Sequence, residues 1–379
     1  MLEQNKKRLV IIGGGYAGTT LVHRLKDVLE LEIILINKTP YHLAQTDIHK
    51  YLCDEMDFNQ ITHNLEDFTR KNNTQFVCEE VKDILFDEKK ILLNNQESIS
   101  YDYLTVASGS ISLFPKQIKN IDEYAQDIKD IVTLQNYKEK FLSLISDDKF
   151  NKNVVIVGGG LSGVEIALEM SKKLQSKNIL PNECQISLIE QLPNILPNMN
   201  PYLVSHTQKA CDALNIKRYH GAFVSEVKDD NVILSDKTQI PFDMIFFVIG
   251  VTSEKLVTHE NIEINVKNQI IVDEFLRIKN YKEVFAIGDV AQTIDKNGNF
   301  VLPTAQMAKL QAKLTAKNII NTLQNKPLIK NNLETKGLMI DLSGLNAVGL
   351  FFNIKLKGVI AFLLKRMVSR VHTRIFSIR

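Results

Sequence analysis

The chain has 379 residues, 44% of them apolar and 24% charged, with a formal net charge of +2. That is material enough for two or three domains with sizeable cores, and the near-neutral balance excludes a general nucleic-acid binder. The charge is unevenly placed: Leu342 to Arg379 holds seven Lys or Arg and no acid, which leaves −5 for everything before it.

Lys6 to Ile12 is too brief an apolar run for a secretory signal, and it leads into Gly13-Gly14-Gly15 instead of a cleavage site. It reads as a parallel strand buried on both faces, followed by a helix through Leu21, Leu25 and Val28 and a second strand at Ile33 to Ile36. Val81 to Leu93 and Tyr101 to Ala107 read as an antiparallel meander joined to a returning strand. The same order then recurs, with Val154 to Val157, Gly158-Gly159-Gly160, a helix through Val164, Leu168 and Met170, and a strand at Ile186 to Ile189. Val232 to Leu234 and Met244 to Ile249 repeat the meander and the return. A last strand, Val284 to Ile287, ends at Gly288-Asp289, and a helix is expected from Thr304 to Leu323. Charged and Asn-rich stretches near Ile118 to Asp130 and Lys255 to Asn268 are the expected domain crossings. No run reaches the ~20 uncharged apolar residues that cross a bilayer.

Four cysteines, Cys53, Cys78, Cys184 and Cys211, show no CxxC spacing, which excludes a zinc clip and a dithiol redox motif and predicts reduced, structural thiols in a cytosolic setting. The chemistry lies in the glycines. Gly13-x-Gly15-x-x-Gly18 and Gly158-x-Gly160-x-x-Gly163 each follow a strand and open a helix, where glycine permits the tight turn, close approach of a pyrophosphate and close helix packing. One such motif is weak evidence; two in the same context predict two dinucleotide sites. Glu190 ends the second strand of the second unit, where an acid binds the adenosine ribose and repels a 2′-phosphate, favouring NADH over NADPH. Asn37 holds the equivalent place in the first unit without a charge, beside Lys38.

Several blocks carry a family resemblance. Tyr101-Asp102-Tyr103-Leu104-Thr105-Val106-Ala107-Ser108-Gly109-Ser110 looks like the YDYLVLATGS segment of two-dinucleotide-binding-domain flavoprotein reductases, and Val284 to Asp289 is similar to their second FAD motif. Pro303-Thr304-Ala305-Gln306-Met307-Ala308 resembles the PTAQxA motif of type II NADH dehydrogenases, the single-subunit, non-proton-pumping NADH:quinone oxidoreductases. Gly344 to Gly349 and Lys355 to Leu364 are similar to the carboxy-terminal region with which that family docks to membranes.

The resemblance implies an α/β chain with two Rossmann-like domains: FAD on residues 1–115 and 269–328, NADH on 116–268, and a membrane-docking region at 329–379. It implies flavin contacts from Ala17, Asn37, Lys38, Val81, Ala107, Ser108, Gly109, Gly288, Asp289, Ala305 and Gln306, and nicotinamide-nucleotide contacts from Leu161, Ser162, Glu190 and Gly250. Glu165 matches a glutamate that delivers a proton to reduced quinone, Gln306 one that meets the flavin edge and a quinone carbonyl, and Lys355 a lysine at the quinone entrance or on phospholipid. His42 falls in a turn near the flavin, with packing as the competing role. Where the family carries a second glutamine this chain has Leu310, with Gln311 beside it as a substitute.

Beyond Gly358, the residues Ile360, Leu364, Met367, Val371 and Ile375 are expected on one helical face, with Arg366, Arg370 and Arg374 as a stripe on another. A basic amphipathic helix of this kind is expected to lie on anionic phospholipid, on the cytoplasmic face of the cell inner membrane. A homodimer is left open. The alternatives are a soluble reductase that serves a ferredoxin, which has no use for the basic tail, and a nucleotide-sensing flavoprotein with little turnover. A sulfide:quinone oxidoreductase needs cysteines beside the flavin, and none follows the Ala107 strand or the PTAQ block.

Overall fold

The computed structural model describes residues 6–147, 151–255, 258, 260–295, 298–352 and 354–377. Leu9-Val10-Ile11-Ile12 has two apolar faces to cover, and β1 (Lys7–Ile12) accordingly lies in the middle of a five-stranded parallel sheet with all four side chains buried. Helix α1 (Tyr16–Leu25), β2 (Leu31–Asn37), α2 (Ile48–Leu52), β3 (Gln75–Cys78) and β4 (Tyr103–Val106) complete the first unit. The second opens with α3 (Ile131–Ser146) and repeats the plan in β5 (Lys152–Val157), α4 (Leu161–Ser176), β6 (Cys184–Glu190), β7 (Lys217–His220) and β8 (Met244–Phe247). The chain then returns to the first sheet as β9 (Val284–Ala286) and runs into α5 (Ala305–Leu323). Three antiparallel strands, β10 (Gly337–Asp341), β11 (Ala347–Phe351) and β12 (Ile354–Lys357), precede the last helix, α6 (Gly358–Ser377).

The first sheet has the order β9-β4-β1-β2-β3 and the second β7-β6-β5-β8, parallel throughout. In each, β1 or β5 has its sequence successor on one side and a later strand on the other, so a crevice opens at its carboxyl end. Both expected meanders are present, at Val81 to Ser100 and Val224 to Pro241. The exits of β4 and β8 are tied by an antiparallel pair, Ile111–Ser112 with Val251–Thr252. Helix α2 crosses over: Ile48, Tyr51, Leu52 and Cys53 share one buried cluster with Val154, Val164 and Leu168 of the second unit and with Ile340, Leu342 and Val348 of the terminal sheet. Thr304, the expected start of α5, is its cap, and its hydroxyl accepts the Met307 N–H.

Helix α6 is turned differently from the expectation. Val359, Ile360, Leu363, Met367 and Val371 are 53–70% exposed, whereas Leu364 and Ile375 are half-buried at the edges of that face. The inner face is Ala361, Lys365, Ser369, His372 and Phe376. Phe376 stacks on His63 at 4.4 Å and meets Phe68 at 4.9 Å, and the His372 ring lies 4.7 Å from Tyr16. Among the described residues, no helix is long and apolar enough to cross a membrane.

Phe376→Ala removes a buried ring from this seam at a cost of about 3 kcal/mol. Hydrogen exchange should therefore quicken roughly a hundredfold along α6 and stay unchanged in β1 and β5. Equal acceleration in both sheets would show that the helix has no separate docking equilibrium.

Candidate active site

The six glycines of the two motifs divide by what a side chain at each would meet. At Gly13, with φ +108°, a Cβ would lie 2.2 Å from the Ala107 carbonyl oxygen, and at Gly158, with φ +115°, 2.4 Å from that of Val248. At Gly18 and Gly163 it would lie 1.9 Å from the carbonyl oxygens of Gly13 and Gly158. The protein's own backbone thus excludes side chains there. Gly15 and Gly160 are different. Their backbone is extended and a Cβ would meet nothing within 4 Å, so what demands glycine lies outside the chain. Each stands at the amino terminus of a helix, where free N–H groups and the macrodipole suit a pyrophosphate. The residues fit two dinucleotides.

Asn37 and Glu190 do one job with different charge. Asn37 Oδ1 accepts the Gly14 N–H at 2.8 Å, and Glu190 Oε2 accepts that of Gly159 at 2.9 Å. Glu190 Oε1 also accepts the Leu192 N–H at 2.9 Å, while the Asn37 amide donates to the Thr39 carbonyl at 2.7 Å. His42 has a definite place too: its Nδ1 donates to the Gly14 carbonyl at 2.9 Å, and burial lowers its pKa to about 4, so it is a neutral support of the loop. Lys38 is exposed, 4.0 Å from Glu254. Val81 begins the meander just past the end of β3, where Cys78 is paired with Asn37. Leu161 and Ser162 open α4, with Ser162 exposed.

Ala107, Ser108 and Gly109 follow β4, and Gly109 has φ +79° with open space where a Cβ would stand. Gly288 has φ +78° and packs close to Ala17 and Ala308, which explains the small residues on α1 and α5. Gly250, φ +128°, turns the chain after β8. Asp289 Oδ2 accepts the Ser110 hydroxyl at 2.7 Å, with Lys129 Nζ 3.8 Å away. Gln311 does not stand in for the missing second glutamine. It is 2% exposed, with its Oε1 on the Gly288 N–H at 2.6 Å and its amide donating to Thr293, so it pins the Gly288 turn to α5.

Glu165, one turn into α4, is brought to the centre of a buried ionic cluster. Its Oε1 accepts from Lys365 Nζ at 2.6 Å and from the Asp341 N–H at 2.9 Å. Asp341 Oδ2 is 3.0 Å from Lys365, 3.1 Å from His49 Nε2 and 3.2 Å from Lys50. His49 Nδ1 is 4.0 Å from Glu165 Oε2. Burial pushes Asp341 up, but the His49 hydrogen bond and the charges of Lys365, His49 and Lys50 prevail and hold it well below the usual carboxylate range. Burial likewise opposes the charge on Lys365, and Glu165 and Asp341 overcome it, holding the ammonium well above an ordinary lysine.

The lysine expected at the quinone entrance or on phospholipid is Lys355. Lys355 is exposed on β12, its ammonium 5.3 Å from the centre of the Tyr202 ring, and is not in the cluster; Lys365 is. Lys365, His49 and Asp341 were missed, though a lysine on the face opposite the apolar stripe of α6 was a usable signal. Gln306 Oε1 accepts the Lys336 N–H at 3.0 Å, and its amide NH2 has no acceptor among the described residues. Beside it, Leu310, Leu333, Lys336, Gly337, Leu350 and Phe352 line a cavity of about 490 Å³. Ala305 is the first residue of α5. All four cysteines are free thiols, and only Cys78 is exposed.

Two strand–glycine-turn–helix units, each on its own parallel sheet, are the plan of a class of nucleotide-binding oxidoreductases. Residues 7–312 match the pyridine nucleotide-disulphide oxidoreductase family, and the chain belongs to it. Among its relatives, the type II NADH:quinone oxidoreductase of Staphylococcus saprophyticus is 25% identical over 390 residues, covering 97% of this chain and 95% of that protein. Two solved structures share the fold. NDH2 from Plasmodium falciparum, in complex with NADH, has a TM-score of 0.85 at 19% identity over 98% of this chain and 97% of that one. The sulfide:quinone oxidoreductase of Aquifex aeolicus has a TM-score of 0.83 at 21% identity over 96% and 90%.

Gly15→Ala should leave the unfolding free energy of the flavin-free protein within about 1 kcal/mol of the parent and weaken FAD binding at least tenfold. Gly18→Ala should lose stability as well, because its Cβ runs into the Gly13 carbonyl. Similar melting curves for the two variants would reject the distinction.

The ionic cluster has a pH signature. The depressed pKa of Asp341 contributes stability that is present above about pH 4 and lost as pH falls through its folded value; the raised pKa of Lys365 contributes stability that is present below about pH 10.4 and lost as pH rises through its own. Between those limits the contribution is flat. Lys365→Met should cost about 3 kcal/mol at pH 7, and the deficit should shrink below pH 5 as the stranded carboxylates take up protons. A deficit constant from pH 8 to pH 4 in thermal melts would contradict the pairing.

Proposed function

We propose that the chain is an FAD-dependent, non-proton-pumping NADH:quinone oxidoreductase. One observation carries this reading: the helix with a bare apolar outer face, α6, puts Lys365 from its inner face onto Glu165 of the second nucleotide unit. An acceptor that reaches the site past such a helix comes from a lipid phase; a ferredoxin needs no apolar face. The reaction is NADH plus a proton plus quinone giving NAD+ and quinol.

Bound FAD supplies the two-electron carrier that takes hydride from NADH and passes electrons to quinone. The chain's own residues hold and orient. Gly13, Gly15 and the amino terminus of α1 cradle one pyrophosphate, and Gly158, Gly160, Leu161, Ser162 and Gly163 the other. Asn37, Lys38 and Val81 lie on the adenosine side of the first site and Glu190 on that of the second, with Gly250 at the exit of β8. Ala17, Ala107, Ser108, Gly109, Gly288, Asp289 and Ala305 surround the ribityl chain and the ring. The unpaired amide NH2 of Gln306 donates to a quinone carbonyl, and the cavity beside it is the quinone's approach. Glu165, oriented by Lys365 and by the Asp341 N–H, is the residue that relays a proton to the reduced acceptor.

Residues 1–115 with 269–328 then serve FAD, 116–268 serve NADH, and 329–379 serve the membrane. Val359, Ile360, Leu363, Met367 and Val371 enter the interface, with Arg370 and Arg374 exposed beside them for anionic headgroups. Lys355, exposed on β12 next to this face, is a phospholipid contact. Attachment is peripheral, on the cytoplasmic side where NADH is available.

The deciding experiment is anaerobic reduction of the bound flavin by NADH followed by mixing with a quinone. Rapid reoxidation is expected; reoxidation no faster than that of free flavin with every quinone tried would leave the nucleotide-sensing alternative. Glu190→Ala should raise the Michaelis constant for NADH at least tenfold with turnover changed less than about threefold. Because α6 also seals the site, truncation at Gly358 is not a clean probe of docking. Ile360→Asp with Met367→Asp should release the protein from vesicles containing phosphatidylglycerol and leave flavin content unchanged; continued sedimentation with vesicles would reject the docking face.

A further inference from the structure

Lys129 lies in the crossover between the two units, two residues before α3, with its side chain only 17% exposed. Its Nζ donates to Ser110 Oγ at 2.5 Å and to the Ser110 carbonyl at 3.3 Å, and stands 3.8 Å from Asp289 Oδ2. The Ser110 hydroxyl donates to that same carboxylate oxygen at 2.7 Å. Two of the three ammonium hydrogens are thereby used, and the third has no acceptor at hydrogen-bond distance among the described residues. Asp289 Oδ1 likewise accepts no described donor. A second acid, Asp127, adds its charge nearby, and its Oδ1 accepts both the Ser112 hydroxyl and the Lys129 N–H. A cation, a hydroxyl and a carboxylate thus form a bonded set with one donor and one acceptor left over, at the turn assigned to the ribityl chain.

Charge decides what this set does. A half-buried aspartate such as Asp289, left unpaired beside a flavin, opposes the negative charge that reduction adds more strongly than it would in water. We propose that Lys129 is a positioning residue for the flavin, one that fixes the Asp289 carboxylate through Ser110 and cancels its charge, so that the bound flavin is easier to reduce. The inference rests on the reading of Asp289 as a flavin ligand.

The test is the flavin midpoint potential of the holoenzyme, measured by dye equilibration in the parent, Lys129→Gln, Lys129→Arg, Asp289→Asn and the double variant Lys129→Gln/Asp289→Asn. Lys129→Gln should weaken binding of reduced relative to oxidised flavin about tenfold, a fall of about 30 mV for a two-electron couple. Lys129→Arg should keep the parent potential, and the double variant should return towards it, since both charges are then gone. A change under twofold in Lys129→Gln, with a clear shift in Asp289→Asn, overturns the proposal alone. Potential and flavin affinity unchanged in both single variants would remove Asp289 from the flavin site, and the proposal with it. Where Lys129→Gln retains no flavin, Lys129→Arg decides: an unaltered potential supports the charge argument, and a tenfold loss overturns it.

Discussion

The contact on which the arrangement depends is the ion pair between Glu165 and Lys365, closed by Asp341. Charges removed from water are costly unless they are paired, and here two carboxylates, two lysines and a histidine from four stretches of chain pair with one another, chiefly through Asp341 Oδ2 and Glu165 Oε1. Asp341 Oδ1 is buried without a partner among the described residues. His49 and Lys50 come from the first nucleotide unit, Glu165 from the second, Asp341 from the terminal sheet and Lys365 from the last helix. None of these segments can move away without stranding a charge. The last helix is therefore locked to both nucleotide units through its inner face, while Val359, Ile360, Leu363, Met367 and Val371 stay exposed on its outer face.

The two nucleotide units show how a repeated plan is given two tasks. In both, the first and third glycines are imposed by the chain's own carbonyls, while the second leaves room for a ligand. The residue at the end of the second strand accepts the same loop N–H in each unit, but it is neutral in one and an acid in the other. An acid there discriminates against a 2′-phosphate, which matters for a soluble substrate chosen among nucleotides. In the first unit the loop is instead tightened by His42, and the Gly288 turn packs against Ala17.

Two lysines near the terminal sheet have opposite surroundings. Lys355 is out at the surface and Lys365 is inside, ten positions further along a helix that begins between them. Gln311 is spent on holding the Gly288 turn, which leaves Leu310 on the cavity wall and makes that wall more apolar than a second glutamine would. The rest of that wall is mixed, with Asn332, Glu334, Thr335 and Lys336 beside Leu333, Leu350 and Phe352.

The amino-acid sequence by itself determined the parallel sheets and the two glycine turns, because strand burial and turn geometry are local demands with short periods and fixed spacings. It also determined that the last helix has an apolar face. Only the tertiary structure decided which lysine meets Glu165, that His49 and Asp341 join them, and that Lys129 from the crossover stands beside Asp289. Those partners are separated by up to three hundred positions or so, and no spacing rule connects residues that meet only after the sheets, helices and terminal strands have packed. The orientation of α6 had the same origin. Its amphipathic pattern has two edges of similar polarity, and the buried carboxylates on the neighbouring elements select the one that turns Lys365 inward.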